Sequence, residues 1–132
     1  MEKQKYTAIV LAAGSGKRMN SQVHKQYLII QDRPVLYYSL KEFEDSAVDE
    51  IVLVVGKGEE EFCRREIVDK YGISKVKAIV EGGKERYHSV FEGLKQTSDA
   101  DYVLIHDGAR PFVNQDIIRR CMQEVQKYQA CV

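Results

Sequence analysis

The sequence has no excess of charge of either sign and no apolar run of the length that crosses a membrane. Lysine plus arginine and aspartate plus glutamate number 20 each, so the formal net charge is zero. Without a chain-wide field, recruitment of nucleic acid or of an anionic membrane is not expected, and any anion site must be local. The polar start of the chain does not read as a signal peptide either. We therefore expect a cytoplasmic protein that binds neither membrane nor nucleic acid.

Cysteine and proline are also scarce. The three cysteines, Cys63, Cys121 and Cys131, are odd in number and widely spaced, which matches neither a disulfide framework nor a metal-ligand pattern. We expect them to be reduced and to serve in packing. Only two prolines occur among 132 residues, and no repeat or linker divides the chain. One compact domain with one core is the expected organisation.

What the sequence does have is a regular series of short apolar runs. Continuous runs of this kind are typical of strands that are buried on both faces, as in a parallel sheet. They lie at 7–12, 51–55, 76–80 and 102–105, and a fifth begins at 130–132. Because the last of them only begins there, we expect residues 1–132 to be part of a larger domain, truncated on its C-terminal side.

Four stripes of apolar residues at helical spacing lie between these runs. They are Leu36/Leu40/Phe43, with Pro34 as first helical residue and Asp32 as cap; Cys63/Ile67/Tyr71, ended by Gly72; Tyr87/Val90/Phe91/Leu94; and Ile117/Ile118/Cys121/Met122/Val125, capped by Asn114. The alternation of strands and helices predicts an α/β fold, in which a mostly parallel sheet carries helices on both faces.

The loop after the first run reads Leu11-Ala-Ala-Gly-Ser-Gly-Lys-Arg-Met19. A P-loop would need glycine where Leu11 stands and serine or threonine where Arg18 stands. A dinucleotide-binding loop would need a third glycine, and Met19 occupies that position. A nucleotidyltransferase loop fits better, because the backbone N–H groups of residues 14–16 can wrap a triphosphate.

Two cations of this region suit that triphosphate. Arg18 can fork two phosphate oxygens, and Lys25 can reach the phosphate at which substitution occurs. Lys17 is interpreted as a solvated loop charge. Small residues at the strand end let a sugar or a base approach. The nucleotide-binding candidates of this loop are thus Ala12, Ala13, Gly14, Ser15 and Gly16, and the catalytic candidates are Arg18 and Lys25.

A second candidate region reads Glu81-Gly-Gly-Lys-Glu-Arg-Tyr-His-Ser-Val90. Gly83 allows the backbone to approach a ligand closely, and Arg86 and Ser89 lie three residues apart on one side of the predicted helix. A hydroxyl with exposed backbone groups can read the edge of a base, although a plain glycine turn with Ser89 as a local helix hydroxyl explains this stretch, taken alone, slightly better. His88 is interpreted as a surface residue.

A third region reads Tyr102-Val-Leu-Ile-His-Asp-Gly-Ala-Arg-Pro-Phe112. Ligands of doubly wound sheets bind outside the carboxyl ends of the strands, and Asp107 falls at such an end. Its carboxylate can hold ribose hydroxyls or help to position a magnesium–phosphate complex. Arg110 suits either the site or an internal ion pair that fixes the loop.

Taken in order, these pieces resemble one family, the 2-C-methyl-D-erythritol 4-phosphate cytidylyltransferases of non-mevalonate isoprenoid biosynthesis. The likeness rests on residues 11–19, on Lys25-Gln-Tyr27, on Gly82-Gly-x-x-Arg86 with Ser89-Val90, and on His106-Asp-Gly-Ala-Arg-Pro111. It covers essentially the whole chain, and four motifs in one order are far more specific than any one of them. Members of the family are longer than this chain.

The resemblance implies a Rossmann-like nucleotidyltransferase fold. It also implies a reaction of CTP with a sugar-alcohol phosphate that uses Mg²⁺ and releases pyrophosphate, carried out by a homodimer at full length. By the same analogy, Arg18 and Lys25 stabilise the pentacoordinate α-phosphate, Ala12, Ala13 and Gly14 line the nucleotide, Gly83 and Ser89 contact cytosine, and Asp107 and Gly108 face the ribose.

Three positions depart from the family pattern. His24 stands where proline is usual, Lys84 where aspartate is common, and Gly108 where alanine is commoner, the last a mild change. Two other functions stay open: a ribitol or other pentitol 5-phosphate cytidylyltransferase, and a nucleotide-binding module without turnover. Lys25 argues against the module, since simple binding needs no second cation at the reacting phosphate.

Overall fold

The computed structural model describes residues 4–12, 29–30, 33–108, 113–128 and 130–131, of which 29–30, 33, 125–128 and 130–131 are described for the backbone alone. The strands are β1 (Tyr6–Ala12), β2 (Ile29–Ile30), β3 (Arg33–Pro34), β4 (Glu50–Val55), β5 (Val76–Glu81), β6 (Tyr102–Asp107) and β7 (Ala130–Cys131). The helices are α1 (Val35–Glu44), α2 (Glu60–Cys63) with a π-helical continuation at Arg64–Asp69, α3 (Arg86–Leu94) and α4 (Gln115–Tyr128).

Five strands form one sheet in the order β5-β4-β1-β6-β7, and every pair in it is parallel. The chain first builds outward from β1 through β4 to β5 and then returns to the other side of β1 with β6. This is the strand order of a Rossmann-like sheet, and its direction reverses between β1 and β6. The predicted fold class is confirmed, as are all five strands.

One face of the sheet carries the main core. Side chains from α1, the α2 segment and α4 pack there against alternate residues of β1 and β4. Leu36, Leu40 and Ile67 are fully buried on the helical side, and Leu53 is fully buried on the sheet. The predicted stripes of the first two helices are therefore confirmed.

The opposite face is covered by α3. The predicted apolar stripe of this helix is confirmed at Val90, which packs against the sheet, and is wrong at its other three positions. Tyr87, Phe91 and Leu94 were expected to face the core, but they are 68%, 59% and 42% exposed. The helix instead buries Ser89 and Gly93. A Cβ at Gly93 would come within 2.8 Å of the Ile9 side chain, so a small residue lets the helix backbone lie directly on the sheet.

The helix ends show what capping signals in the sequence could and could not predict. Asn114 caps α4 as predicted, since its Oδ1 accepts the N–H of Ile117 at 2.9 Å. Gly72 follows the α2 segment with a φ of +67°, the left-handed conformation that ends a helix. Pro34, in contrast, precedes α1 in extended conformation, because it pairs with Ile29 in a small antiparallel hairpin that the sequence did not predict. Asp32 lies outside the described residues.

The predicted stripe of α4 is confirmed in part. Ile118 is buried, and Cys121 and Met122 pack against the core, whereas Ile117 is 44% exposed. Cys63 is buried and Cys121 is half-buried. Within the described ranges, no helix is both long and apolar enough to cross a bilayer.

Candidate functional site

The candidate site lies where the carboxyl ends of β1 and β6 meet. Leu11 pairs with Asp107 in the parallel register, so β1 and β6 reach the same edge of the sheet side by side. Immediately beyond, the N–H of Gly108 donates to the carbonyl oxygen of Leu11 at 2.8 Å. The sheet order reverses between these two strands, and in open α/β sheets such a reversal is where ligands bind. The structure thus brings Ala12, Asp107 and Gly108 together as the sequence predicted.

Asp107 is the last residue of β6 and is half-buried. It is in register with Leu11, whose side chain lies on the α3 face of the sheet. The preceding His106 lies on the other face, where its Nε2 is 3.4 Å from the buried Ser39 Oγ. Its ring also meets the edge of Phe43 with a centroid distance of 5.5 Å. Contacts of His106 with α1 therefore fix the end of the strand that presents Asp107.

Gly108 is buried, and its surroundings are tighter than the sequence suggested. A Cβ at this position would lie 2.8 Å from Leu36 Cδ1 and 3.0 Å from the Leu11 carbonyl oxygen. A methyl group there would require Leu36 to move. Gly108 thus permits close approach of the β6 end to β1 and to α1.

The second candidate region lies at the end of β5, on the same edge of the sheet. The N–H of Gly82 donates to the carbonyl oxygen of Val55 at 2.7 Å, which attaches the glycine turn to β4. Gly83 and Arg86 are exposed, and Ser89 is only 4% exposed at the first turn of α3. The backbone of the turn is exposed, whereas Ser89 is one of the two residues that α3 buries.

Two interacting carboxyl groups lie beside the glycine turn. The Glu81 Oε1 accepts the N–H of Gly58 at 3.1 Å. A hydrogen bond with the Glu81 carboxyl group raises the pKa of Glu60, and burial and charge repulsion add to the effect. These two carboxyl groups belong to the β4–β5 side of the edge, whereas Asp107 lies at the end of β6.

A metal cage built from protein side chains does not form in the described part of the chain. No group of three or more His, Cys, Asp or Glu residues there is arranged to hold a metal ion. Mg²⁺ often binds through one or two carboxylates together with substrate phosphates.

Several predicted site residues lie outside the described residues. They are Ala13, Gly14, Ser15, Gly16, Arg18, Lys25 and Arg110. His24 and Lys17 also lie outside them. The role predicted for each of these residues stays a prediction.

One residue of this edge has contacts that the sequence reading missed. His88, interpreted as a surface residue, takes part in a capping box with Glu85. The sequence carried a signal for it, because Glu85 precedes His88 by three residues. The N3 position of a capping box, which His88 occupies, normally holds glutamate or glutamine.

The strand order, with its reversal between β1 and β6, defines a Rossmann-like α/β protein. The sequence profile of the 2-C-methyl-D-erythritol 4-phosphate cytidylyltransferase family matches residues 6–132, and the chain belongs to that family. A family member from Lachnoclostridium phytofermentans is 54% identical over 129 residues, which are 98% of this chain and 55% of the relative. One from Lachnospira eligens is 54% identical over 96% of this chain and 56% of the relative.

Solved structures agree with the assignment. The crystal structure of 4-diphosphocytidyl-2C-methyl-D-erythritol synthase from Anaerococcus prevotii superposes with a TM-score of 0.77 at 32% identity. The match covers 94% of this chain and 52% of that protein. The fold is thus that of the family's nucleotidyltransferases, and the chain spans about half the length of the relatives that it matches.

Proposed function

We propose that residues 1–132 are the nucleotide-binding part of a cytidylyltransferase domain. The complete domain joins CTP and 2-C-methyl-D-erythritol 4-phosphate into the CDP-alcohol and releases pyrophosphate, in isoprenoid biosynthesis. The observation that carries the proposal is the pairing of the β1 and β6 ends, which sets Asp107 and Gly108 beside the start of the glycine-rich loop. Membership of the family supports the choice of substrates.

Each candidate residue has a role in this proposal. Backbone N–H groups of Gly14, Ser15 and Gly16, beside Ala12 and Ala13, wrap the triphosphate. Gly83 and Ser89 receive the cytosine, with Arg86 as support, and Asp107 and Gly108 receive the ribose. Arg18 and Lys25 stabilise the charge of the pentacoordinate α-phosphate, and Arg110 supports the loop that follows β6.

The reaction needs no covalent enzyme intermediate. An oxygen of the acceptor phosphate forms a bond to the α-phosphorus of CTP, and the bond from that phosphorus to the bridging oxygen breaks as pyrophosphate leaves. The acceptor phosphate is already ionised near neutral pH, so no strong general base is required. Positioning and charge stabilisation by the chain supply most of the catalysis.

Mg²⁺ is the proposed metal cofactor. When bound, it neutralises charge on the phosphates of CTP. Asp107 is the described residue whose carboxylate suits contact with such a metal–nucleotide complex. We further propose a cytoplasmic enzyme that acts as a homodimer at full length and binds neither nucleic acid nor membrane, in line with the family resemblance and the zero net charge.

Pyrophosphate release by the full-length polypeptide tests the proposal. CTP and Mg²⁺ are supplied with 2-C-methyl-D-erythritol 4-phosphate in one reaction and with ribitol 5-phosphate in another. Release with the first acceptor alone is expected. Release with ribitol 5-phosphate alone would show the same mechanism in an enzyme of a different pathway. Release with neither acceptor would favour a nucleotide-binding module without turnover. Residues 1–132 by themselves are expected to show little turnover.

Lys25→Ala tests the catalytic assignment within the same assay. We expect the rate at saturating CTP to fall by about two orders of magnitude or more, while CTP affinity falls less, because this charge acts mainly in the transition state. Lys17→Ala is the matched control, and its rate should stay near that of the wild type. An equal loss of rate and of affinity in Lys25→Ala would make Lys25 a binding residue only.

A further inference from the structure

We propose that His88 is a positioning residue that holds the glycine turn of residues 82–85 in the form that receives the nucleotide base. This inference rests on the proposed function, in which Gly83 contacts cytosine. His88 belongs to α3 and contacts the turn, but it does not contact the reacting atoms of the substrates.

The first observation is a reciprocal pair of hydrogen bonds. The backbone N–H of Glu85 donates to the His88 Nδ1 at 3.3 Å, and the Glu85 side chain accepts the backbone N–H of His88. Nδ1 can accept only in the neutral tautomer that carries its proton on Nε2. The imidazole thereby takes the place that glutamate or glutamine fills in most capping boxes, and it fixes the end of the turn to the first turn of α3.

The second observation is steric. A Cβ at Gly83 would lie 2.2 Å from the His88 Cβ and 3.0 Å from its Cγ. Real Cβ atoms do not approach so closely, so the His88 side chain leaves no room for any residue other than glycine at position 83. The imidazole therefore lies against the backbone of the residue proposed to contact the base.

The His88 ring is also in contact with a neighbouring aromatic side chain. The Tyr87 ring lies with its centroid 4.2 Å from that of His88, at an interplanar angle of 46°. At its other end the turn is attached to β4 through the Gly82 N–H and the Val55 carbonyl oxygen. The glycine turn is thus held at both ends, by the sheet and by His88. A ligand that reads its backbone meets a preformed shape, which lowers the entropic cost of binding.

The test compares three variants of the full-length polypeptide. His88→Leu keeps a side chain beside Gly83 but removes the acceptor for the Glu85 N–H. His88→Gln restores an acceptor of the kind that capping boxes use. Phe91→Leu, one turn further along the exposed side of α3, is the matched control. CTP affinity, the rate at saturating CTP, and amide hydrogen exchange at Glu85 are measured for each variant.

We expect His88→Leu to weaken CTP binding about tenfold, equivalent to about 1.4 kcal/mol, with a change of less than about threefold in the saturated rate. Hydrogen exchange of the Glu85 amide should be faster in His88→Leu than in the wild type. His88→Gln should recover most of the CTP affinity and most of the slow exchange. Phe91→Leu should match the wild type. If His88→Leu lowers the thermal unfolding temperature too far for assay, the comparison of His88→Ala with His88→Gln serves in its place.

Unchanged CTP affinity in His88→Leu would overturn the assignment, and so would a His88→Gln variant as weak as His88→Leu. Faster exchange at Glu85 with unchanged affinity would also overturn it, since His88 would then order a turn that the nucleotide does not use. A wild-type polypeptide that binds no CTP would overturn the proposed function as well. The two failures are therefore distinguishable.

Discussion

The two faces of the sheet differ in how they are built. On the first face, α1, the α2 segment and α4 enclose a long cluster of buried side chains. On the second face, the described cluster has four buried members, Ile9, Leu11, Val52 and Val54, under a single helix. That helix presents glycine and serine to the sheet and leaves aromatic side chains exposed. The first face is thus stabilised by the volume of its buried side chains, whereas the second depends on the close approach of the α3 backbone to the sheet.

The largest expected effect comes from the same truncation made on each face. Ile51 on the first face and Ile9 on the second lie on neighbouring strands, and both are fully buried. We expect Ile51→Ala to lower the free energy of unfolding by about 4 kcal/mol and Ile9→Ala by about 2–3 kcal/mol. The difference arises because α3 alone can settle toward the smaller residue, whereas the first face is held from several sides. Urea denaturation of both variants measures it, and equal losses would remove the distinction between the faces.

Gly93→Ala is expected to have the next largest effect. The added methyl group would lie 2.8 Å from Ile9 Cγ2 and 3.1 Å from Val54 Cγ2. Overpacking costs about 1–3 kcal/mol, from which the helix propensity of alanine recovers up to about 1 kcal/mol. We expect a net loss of about 1–2 kcal/mol in the free energy of unfolding.

Ile9→Ala in the same chain provides the control for that clash. Because it removes Ile9 Cγ2, the nearest atom that the new methyl group meets, the double variant should lose less than the sum of the two single losses. Strict additivity would show that α3 does not depend on close approach at Gly93.

A smaller effect is expected where α1 is joined to the segment before β5. The Glu44 carboxylate accepts the N–H groups of Ser74 at 3.0 Å and Lys75 at 2.8 Å, and also the Ser74 hydroxyl. Burial alone would raise the pKa of Glu44, but these hydrogen bonds together hold it below its ordinary value. The stabilisation is therefore present above the unfolded-state pKa and is lost as the pH falls through the folded-state pKa.

Glu44→Gln should accordingly lower the free energy of unfolding by about 1 kcal/mol at neutral pH. The difference in the free energy of unfolding between the variant and the wild type should become smaller under acidic conditions. Thermal unfolding across a pH series measures it. Glu61→Gln, at an exposed position of α2, is the control. A gap that stays constant with pH would show that the Glu44 charge contributes nothing to this contact.

The smallest effect is expected on the exposed side of α3. Phe91 is 59% exposed, so Phe91→Ser should change the free energy of unfolding by no more than about 0.5 kcal/mol. Leu40→Ser, at a fully buried position of α1, is the contrasting variant and should unfold far more easily. A loss above about 1 kcal/mol for Phe91→Ser would mean that the aromatic side of α3 is packed in solution.

Much of the fold was predictable because its strands are continuous apolar runs, which a buried parallel sheet requires. Which side of α3 packs on the sheet was not predictable. Ser89 and Gly93, which are buried, carry no hydrophobic signal, and the apolar residues Tyr87 and Phe91 suggested that the other side of the helix is buried. The hairpin of β2 and β3 was also missed. Strands of two residues each are too short to show a periodic pattern.

The site was predictable where a rule of topology applies. Asp107 ends a buried strand, and parallel strands end at a common edge, so its position beside β1 followed from the sequence. The contacts of His88 did not follow, because they depend on the orientation of an exposed ring against a glycine turn. The tightness around Gly108 likewise comes from Leu36, which is distant in sequence.

The central claim is that the nucleotide binds at the carboxyl edge of the sheet. Hydrogen–deuterium exchange of the full-length polypeptide, with and without CTP and Mg²⁺, tests it most directly. We predict protection at residues 82–89 and 107–108, and none at the amino edge, where Lys5 pairs with Glu50 at 2.9 Å. Protection at the amino edge, or no protection at residues 107–108, would contradict the claim.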